Sequence, residues 1–298
     1  MHQRIVRVVS HIGKRYGKTS DITRGKAKFH PCILILILPA FDERPIGDQC
    51  SCANTGEMSS PVLRRSRTQV MAHRGASQAE PENTLSAFAK AVDMGADAVE
   101  LDVRPTRDGV MVIHHDAKLK DGRVIVQTDA RELPSHIPTL EQALDACSGL
   151  WVNIEIKNDP NEPDFDPQDR LAAQVADMLR GRSEYDRWLI SCFRRETVDA
   201  MHALLPDVGT AWLTTGVRDT EIAHVAAGLR DSGHTALHPW VNLLTEQVID
   251  VCHNHGLEVN TWTCDDPVRM HQIISWGVDG ICTNVPDIAV AVLAAKNS

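Results

Sequence analysis

The sequence predicts an α/β protein built as a (β/α)8 TIM barrel, with a β-hairpin in the loop after its second strand and a poorly ordered N-terminal extension. Three observations carry that reading. From Thr68 onward, short apolar runs alternate eight times with amphipathic stretches. The repeat fills about 230 residues, close to the usual length of such a barrel. No G-x-G-x-x-G turn follows the first run, as an open doubly wound nucleotide-binding sheet would require.

The strands are expected at Gln69 to His73, Ala98 to Val103, Leu150 to Lys157, Trp188 to Phe193, Thr210 to Thr214, Ala236 to Trp240, Leu257 to Thr263 and Gly280 to Thr283. Each precedes a helix pattern: Thr84 to Met94, Thr139 to Cys147, Gln168 to Leu179, Glu196 to Leu205, Glu221 to Leu229, Thr245 to Asn254, Pro267 to Trp276 and Pro286 to Ala295. Gly95, Gly256 and Gly277 stand where helix C-caps belong. One segment breaks the alternation. Val110 to His115 (VMVIHH) is strand-like but follows Val103 after too few residues for a parallel crossover, and Asp108-Gly109 is a hairpin signal. It reads as the return arm of a hairpin that carries His115 back over the barrel mouth.

The chain of 298 residues carries 31 Lys/Arg against 40 Asp/Glu, a formal net charge of −9, which disfavours a general nucleic-acid binder. Within it, residues 1–57 hold nine Lys/Arg against five Asp/Glu, a net of +4, which leaves −13 for the remainder. That break divides the chain into an extension, 1–57, read as disordered or as an over-long start before Met58, and a barrel domain, 58–298. The apolar run Cys32 to Leu38 is too short to span a bilayer, so no stable membrane insertion is expected. The eight cysteines make no zinc spacing, and those from Cys147 onward sit in apolar patterns. This usage suits a reducing compartment, hence a cytoplasmic location.

Residues two apart on a strand share a face. With Val99, Leu101 and Val103 turned to the helices, Glu100 and Asp102 point into the barrel; with Val152, Ile154 and Ile156 turned outward, Asn153, Glu155 and Lys157 point in. Buried carboxylates need cationic company. Three at strand ends suit one hard divalent cation, Ca²⁺ or Mg²⁺. An internal ion-pair layer with Lys157 and no metal is the alternative. His73 closes the first strand beside Arg74, whose guanidinium suits phosphate, and Gly75 lets the backbone turn. Two imidazoles, His73 and His115, around a metal and an arginine are what phosphodiester cleavage requires. One accepts a proton from the attacking hydroxyl and the other protonates the leaving alkoxide.

His73-Arg74-Gly75, Pro81-Glu82-Asn83-Thr84, Glu100-x-Asp102, Asp108-Gly109, His115-Asp116, Glu155-x-Lys157 and Trp262-Thr263 resemble the glycerophosphodiester phosphodiesterases in order, type and spacing, from about Val70 to Ile288. The resemblance implies a phospholipase-C-like barrel that hydrolyses glycerophosphodiesters to sn-glycerol 3-phosphate and an alcohol. It implies that His73 and His115 are the acid–base pair, that Glu100, Asp102 and Glu155 hold the metal, and that Arg74 and Lys157 bind the phosphate. Phe193 and Trp262 are expected to line the glycerol or head-group pocket, with plain packing at strand ends as the alternative. Asn83 is expected to cap the helix that follows it. His114 is expected to point away from His115 by strand alternation.

Two departures stand out. Thr283-Asn284 replaces the family's usual Thr-Asp, which removes a carboxylate, and the stretch from Lys118 to Ile137 is short. A short insert leaves the mouth open to small, water-soluble diesters. A lysophospholipase D activity, a non-catalytic phosphodiester-binding barrel and a metal-dependent isomerase or aldolase barrel are the competing readings.

Overall fold

The computed structural model describes residues 67–296, so the reading of residues 1–57 as an extension lies outside it. Eight of its strands close a parallel barrel: β1 (Gln69–His73), β2 (Ala98–Pro105), β4 (Trp151–Ile156), β5 (Trp188–Cys192), β6 (Gly209–Thr214), β7 (Ala236–Pro239), β8 (Glu258–Thr261) and β9 (Gly280–Thr283). β9 pairs with β1 and β1 with β2, which completes the ring. The ninth strand, β3 (Met111–Ile113), runs antiparallel to β2 with Val103 opposite Ile113. The expected hairpin is therefore present, but its return arm is three residues, not six. Beyond Ile113 the chain leaves the ladder; the His114 N–H still bonds the Asp102 carbonyl at 3.0 Å.

Helices α1 (Leu85–Asp93), α2 (Leu140–Ala146), α3 (Arg170–Arg182), α4 (Arg195–Leu204), α5 (Ile222–Asp231), α6 (Glu246–Asn254), α7 (Pro267–Ser275) and α8 (Pro286–Lys296) follow their strands in order. Caps decide several starts. Thr139 and Gln142 form a reciprocal capping box on α2, and Asp266 with Pro267 opens α7. α3 starts two residues later than its pattern predicts and runs three further, to Arg182.

The alternation assigned from sequence sorts the strands correctly. Val70, Val99, Leu101, Ile154 and Ile281 pack outward with Phe88, Leu144 and Val175 in one continuous core. Inside the ring, Met71, Ala98, Cys282 and Trp151 form an apolar plug at the N-terminal end of the strands. Above it the inward positions turn polar, which leaves the C-terminal mouth as the place where charge is concentrated. Among the described residues, no helix is long and apolar enough to cross a membrane.

Candidate active site

Three inward carboxylates meet at that mouth. β2 and β4 run in register, with Asp102 opposite Glu155, and one oxygen each from Glu100, Asp102 and Glu155 lies within 4.8 Å of the others. Burial raises the Glu100 carboxyl well above the usual range, and the neighbouring Asp102 and Glu155 push it further. Burial also raises Glu155, partly offset by Lys157. Asp102 goes the other way: burial would raise it, but Lys157, Arg74 and His115 outweigh that and hold it at about 2.

Lys157 reaches Glu155 at 2.7 Å and Asp102 at 3.4 Å. An ion-pair layer therefore accounts for two of the carboxylates and not for the third. Glu100 Oε2 accepts the Arg74 N–H at 2.9 Å, while its buried Oε1 has no hydrogen-bond partner. Beside it is a cavity of about 20 Å³, lined by His73, Glu100, Glu155 and Trp262 among others. That space admits one water-sized species. Oxygen donors that repel one another around such a space fit a hard divalent cation. The residues able to hold one are Glu100, Asp102 and Glu155.

The loop from β1 to α1 supplies the arginine and is bent to do so. Arg74 lies at φ +55°, which turns its N–H onto Glu100, and Asn83 lies at φ +58°. Between them Gly75, at φ +79°, passes so close to α1 that a Cβ would sit 2.7 Å from Ala87; only glycine fits there. The Arg74 side chain bonds both oxygens of Glu82, at 3.1 and 3.0 Å, and its Nε stands 3.4 Å from Asp102 without a hydrogen bond. Asn83 is not the helix cap. Thr84 takes that role through the Ala87 N–H, and Asn83 instead donates to Asp102 at 2.8 Å. The φ of Asn83 aims the amide inward, which sequence spacing alone does not disclose.

The two histidines have different neighbours. His73 Nε2 is 4.0 Å from Glu100, and its Nδ1 meets Asn284 Oδ1 at 2.7 Å. Burial, then Arg74, lowers its pKa below the ordinary 6.5, so the ring is neutral at pH 7. His115 Nδ1 bonds Asp116 at 2.7 Å. Its carbonyl is gripped by Arg104, whose Nε and Nη2 lie at 2.8 and 2.5 Å. Arg104 is fully buried and braced by Asp164 and Glu162, each at 2.6 Å. It continues the inward series Glu100, Asp102, so the alternation of β2 could have found it one step further along. His114 and His115 line the same cleft of about 410 Å³, with Lys118, Lys120 and His136. The alternation that would turn His114 away ends with β3.

Trp262 lines the small cavity and packs edge-on against Phe193, with ring centroids 5.4 Å apart. Phe193 stays 42% exposed at the rim. The nine residues singled out from sequence thus gather around one mouth. Sequence reasoning gave Asn83 another role and passed over Arg104 and Asp265, the last of which bonds Asn284 at 2.7 Å.

Known proteins resemble this chain. A "Glycerophosphodiester phosphodiesterase" of Bacillus subtilis is 28% identical over 284 residues, covering 86% of this chain and 94% of the relative. A "Probable glycerophosphodiester phosphodiesterase 2" of Mycobacterium tuberculosis is 32% identical over 261 residues, covering 81% and 96%. Among solved structures, an Oleispira antarctica phosphodiesterase in complex with the product sn-glycerol-3-phosphate superposes with a TM-score of 0.69 at 24% identity, covering 76% of this chain and 97% of that one. The model of the Glycerophosphoryl diester phosphodiesterase family matches residues 73–288, and the chain belongs to that family.

Proposed function

We propose that this enzyme hydrolyses glycerophosphodiesters to sn-glycerol 3-phosphate and an alcohol, with a divalent cation, Ca²⁺ or Mg²⁺, held by Glu100, Asp102 and Glu155. His73 and His115 serve as its acid–base pair. The observation that carries the reading is the convergence of three carboxylates within 4.8 Å of one another, two of them, Glu100 and Glu155, lining one small cavity, while one buried oxygen, Glu100 Oε1, has no partner. The named relatives and the product bound to the Oleispira antarctica protein support the substrate class.

When bound, the cation supplies Lewis-acid stabilisation of charge that builds on the phosphoryl oxygens. The chain's own groups do the rest. Lys157 donates to Glu155, pairs with Asp102 at 3.4 Å, and keeps donors for a phosphate oxygen. Arg74 brings a buried Nε that no acceptor satisfies. His73, neutral and inside the barrel, is the proton acceptor for the attacking hydroxyl. His115 faces the open cleft, where the leaving alcohol departs, and donates the proton it needs. Phe193 and Trp262 wall the side of the mouth opposite the hairpin and line the head-group pocket.

Turnover of glycerophosphocholine with and without a chelator tests this. Activity should vanish in excess EDTA and return with Mg²⁺ or Ca²⁺; full activity in EDTA would overturn the metal assignment, and no activity with any added divalent ion would overturn the substrate. A second reading, cleavage of lysophospholipids, is favoured by one feature. Phe193, Trp240 and Leu243 leave 42, 37 and 54% of their surface exposed along the rim formed by β5 and β7. Comparison of kcat/KM for lysophosphatidylcholine and glycerophosphocholine separates the two.

A further inference from the structure

We propose that Asp265 and Asn284 act together as a relay that locks the ring of His73 in its Nδ1–H tautomer, so that the Nε2 lone pair faces the carboxylate site. The proposal rests on the reading of His73 as a catalytic imidazole. The two residues touch no reacting atom; they are positioning residues that act through His73.

The hydrogen bonds leave one arrangement. A carboxylate only accepts. Asp265, in the loop between β8 and α7, accepts from Asn284 Nδ2 at 2.7 Å, from the Asn284 N–H at 2.8 Å and from the Thr283 hydroxyl at 2.9 Å. The NH₂ end of Asn284 is thereby committed to Asp265, and its Oδ1 end must face the other way. There it meets His73 Nδ1 at 2.7 Å and accepts from the Ser77 hydroxyl at 2.8 Å. An amide oxygen has nothing to donate, so the shared proton belongs to Nδ1. In the neutral ring Nε2 is then the acceptor.

An amide alone would not enforce this. Its oxygen and nitrogen ends are nearly isosteric, and a flipped Asn284 would offer NH₂ to Nδ1, move the proton to Nε2 and leave His73 unable to accept one at the site. Asp265 removes that choice. The carboxylate missing from position 284 is thus present one hydrogen bond further out, and barrel closure makes the connection, since Ala72 pairs with Thr283 across β1 and β9.

The test uses the full chain, ¹⁵N-labelled and metal-free, at a pH where the ring is neutral. Long-range ¹H–¹⁵N spectra report which ring nitrogen carries the proton, and the His73 signals are those missing from His73→Gln. The wild type should show Nδ1 protonated and Nε2 bare. The isosteric Asp265→Asn should give a mixed or inverted pattern. With the metal restored, its kcat on glycerophosphocholine should fall by about 10- to 100-fold, as when a partner one shell out from a ligated histidine is lost, with KM little changed. A fully inverted tautomer sets the outer limit, about 10⁴-fold. The double variant Asp265→Asn/Asn284→Asp exchanges the two groups, again offers only an acceptor to Nδ1, and should restore both the spectrum and kcat. If Asp265→Asn leaves the His73 pattern unchanged, or the double variant recovers neither readout, the relay is refuted. A tautomer shift with undiminished kcat would uphold the relay and refute the catalytic reading of His73.

Discussion

Glu100→Gln should make the metal-free protein more stable and at the same time abolish its response to divalent cations. Glu100 is 4% exposed and shares a 4.8 Å sphere with two other carboxylates. At an effective dielectric constant of about 20, two unit charges at that separation repel by about 3.5 kcal/mol. Burial makes the ionised group costly, and two such repulsions add to that cost while Arg74 offsets only part of it. Protonation caps that cost, because a carboxyl raised by burial and by its neighbours takes up a proton instead of bearing the full penalty of the charge. Gln keeps an acceptor for the Arg74 N–H and brings no charge. After allowance for burial of its NH₂ group, the gain is about 1–3 kcal/mol, and at about 2–4 °C per kcal/mol for a domain of this size the melting temperature in EDTA should rise by several degrees.

The pH dependence gives an internal check. Because the folded pKa of Glu100 lies above its ordinary 4.5, its stabilising contribution is present below 4.5 and is lost as pH rises through the folded value. The advantage of Glu100→Gln should therefore disappear in acid and grow toward neutrality. Saturating Mg²⁺ or Ca²⁺ should reverse the order of the two proteins. A ligand at about 100 times its Kd stabilises the wild type by about 2.7 kcal/mol, and the variant should gain much less. Differential scanning calorimetry in EDTA and in excess cation, at several pH values, reads all of this. A variant less stable than wild type in EDTA, or one that gains as much from the cation, would refute the account of Glu100 as a buried metal ligand.

Two further outcomes follow from the histidines and their support. His73→Ala and His115→Ala should each lower kcat by on the order of 100- to 10,000-fold; a nitrophenyl ester, whose leaving group needs no proton, should rescue His115→Ala and not His73→Ala, and rescue of the opposite variant would exchange the roles. Arg104→Met should destabilise the fold by about 3–5 kcal/mol, because Asp164 is left buried without its cation, and denaturant unfolding would measure it. The same variant should lower kcat by releasing the His115 carbonyl, and an unchanged kcat in the folded fraction would show that Arg104 does not position the imidazole.

What the sequence determined by itself is what two local periodicities encode. Apolar alternation gave β2 and β4 their inner and outer faces, and so fixed Glu100, Asp102, Glu155 and Lys157 as inward before any contact was known. Helical spacing and the missing glycine-rich turn gave the barrel, and Asp108-Gly109 gave the hairpin. What only the tertiary structure decided are pairings between residues far apart in the chain. Barrel closure sets β9 against β1, which brings Asn284 to His73 across 211 positions. Packing of the β4–α3 loop under the hairpin brings Asp164 to Arg104 across 60 positions and so fixes the backbone of His115. A left-handed turn at Asn83 sends its side chain to Asp102 and leaves the cap to Thr84. Local sequence specifies which face a side chain occupies; the partner it meets depends on ring closure and on single backbone dihedrals, which no periodicity encodes.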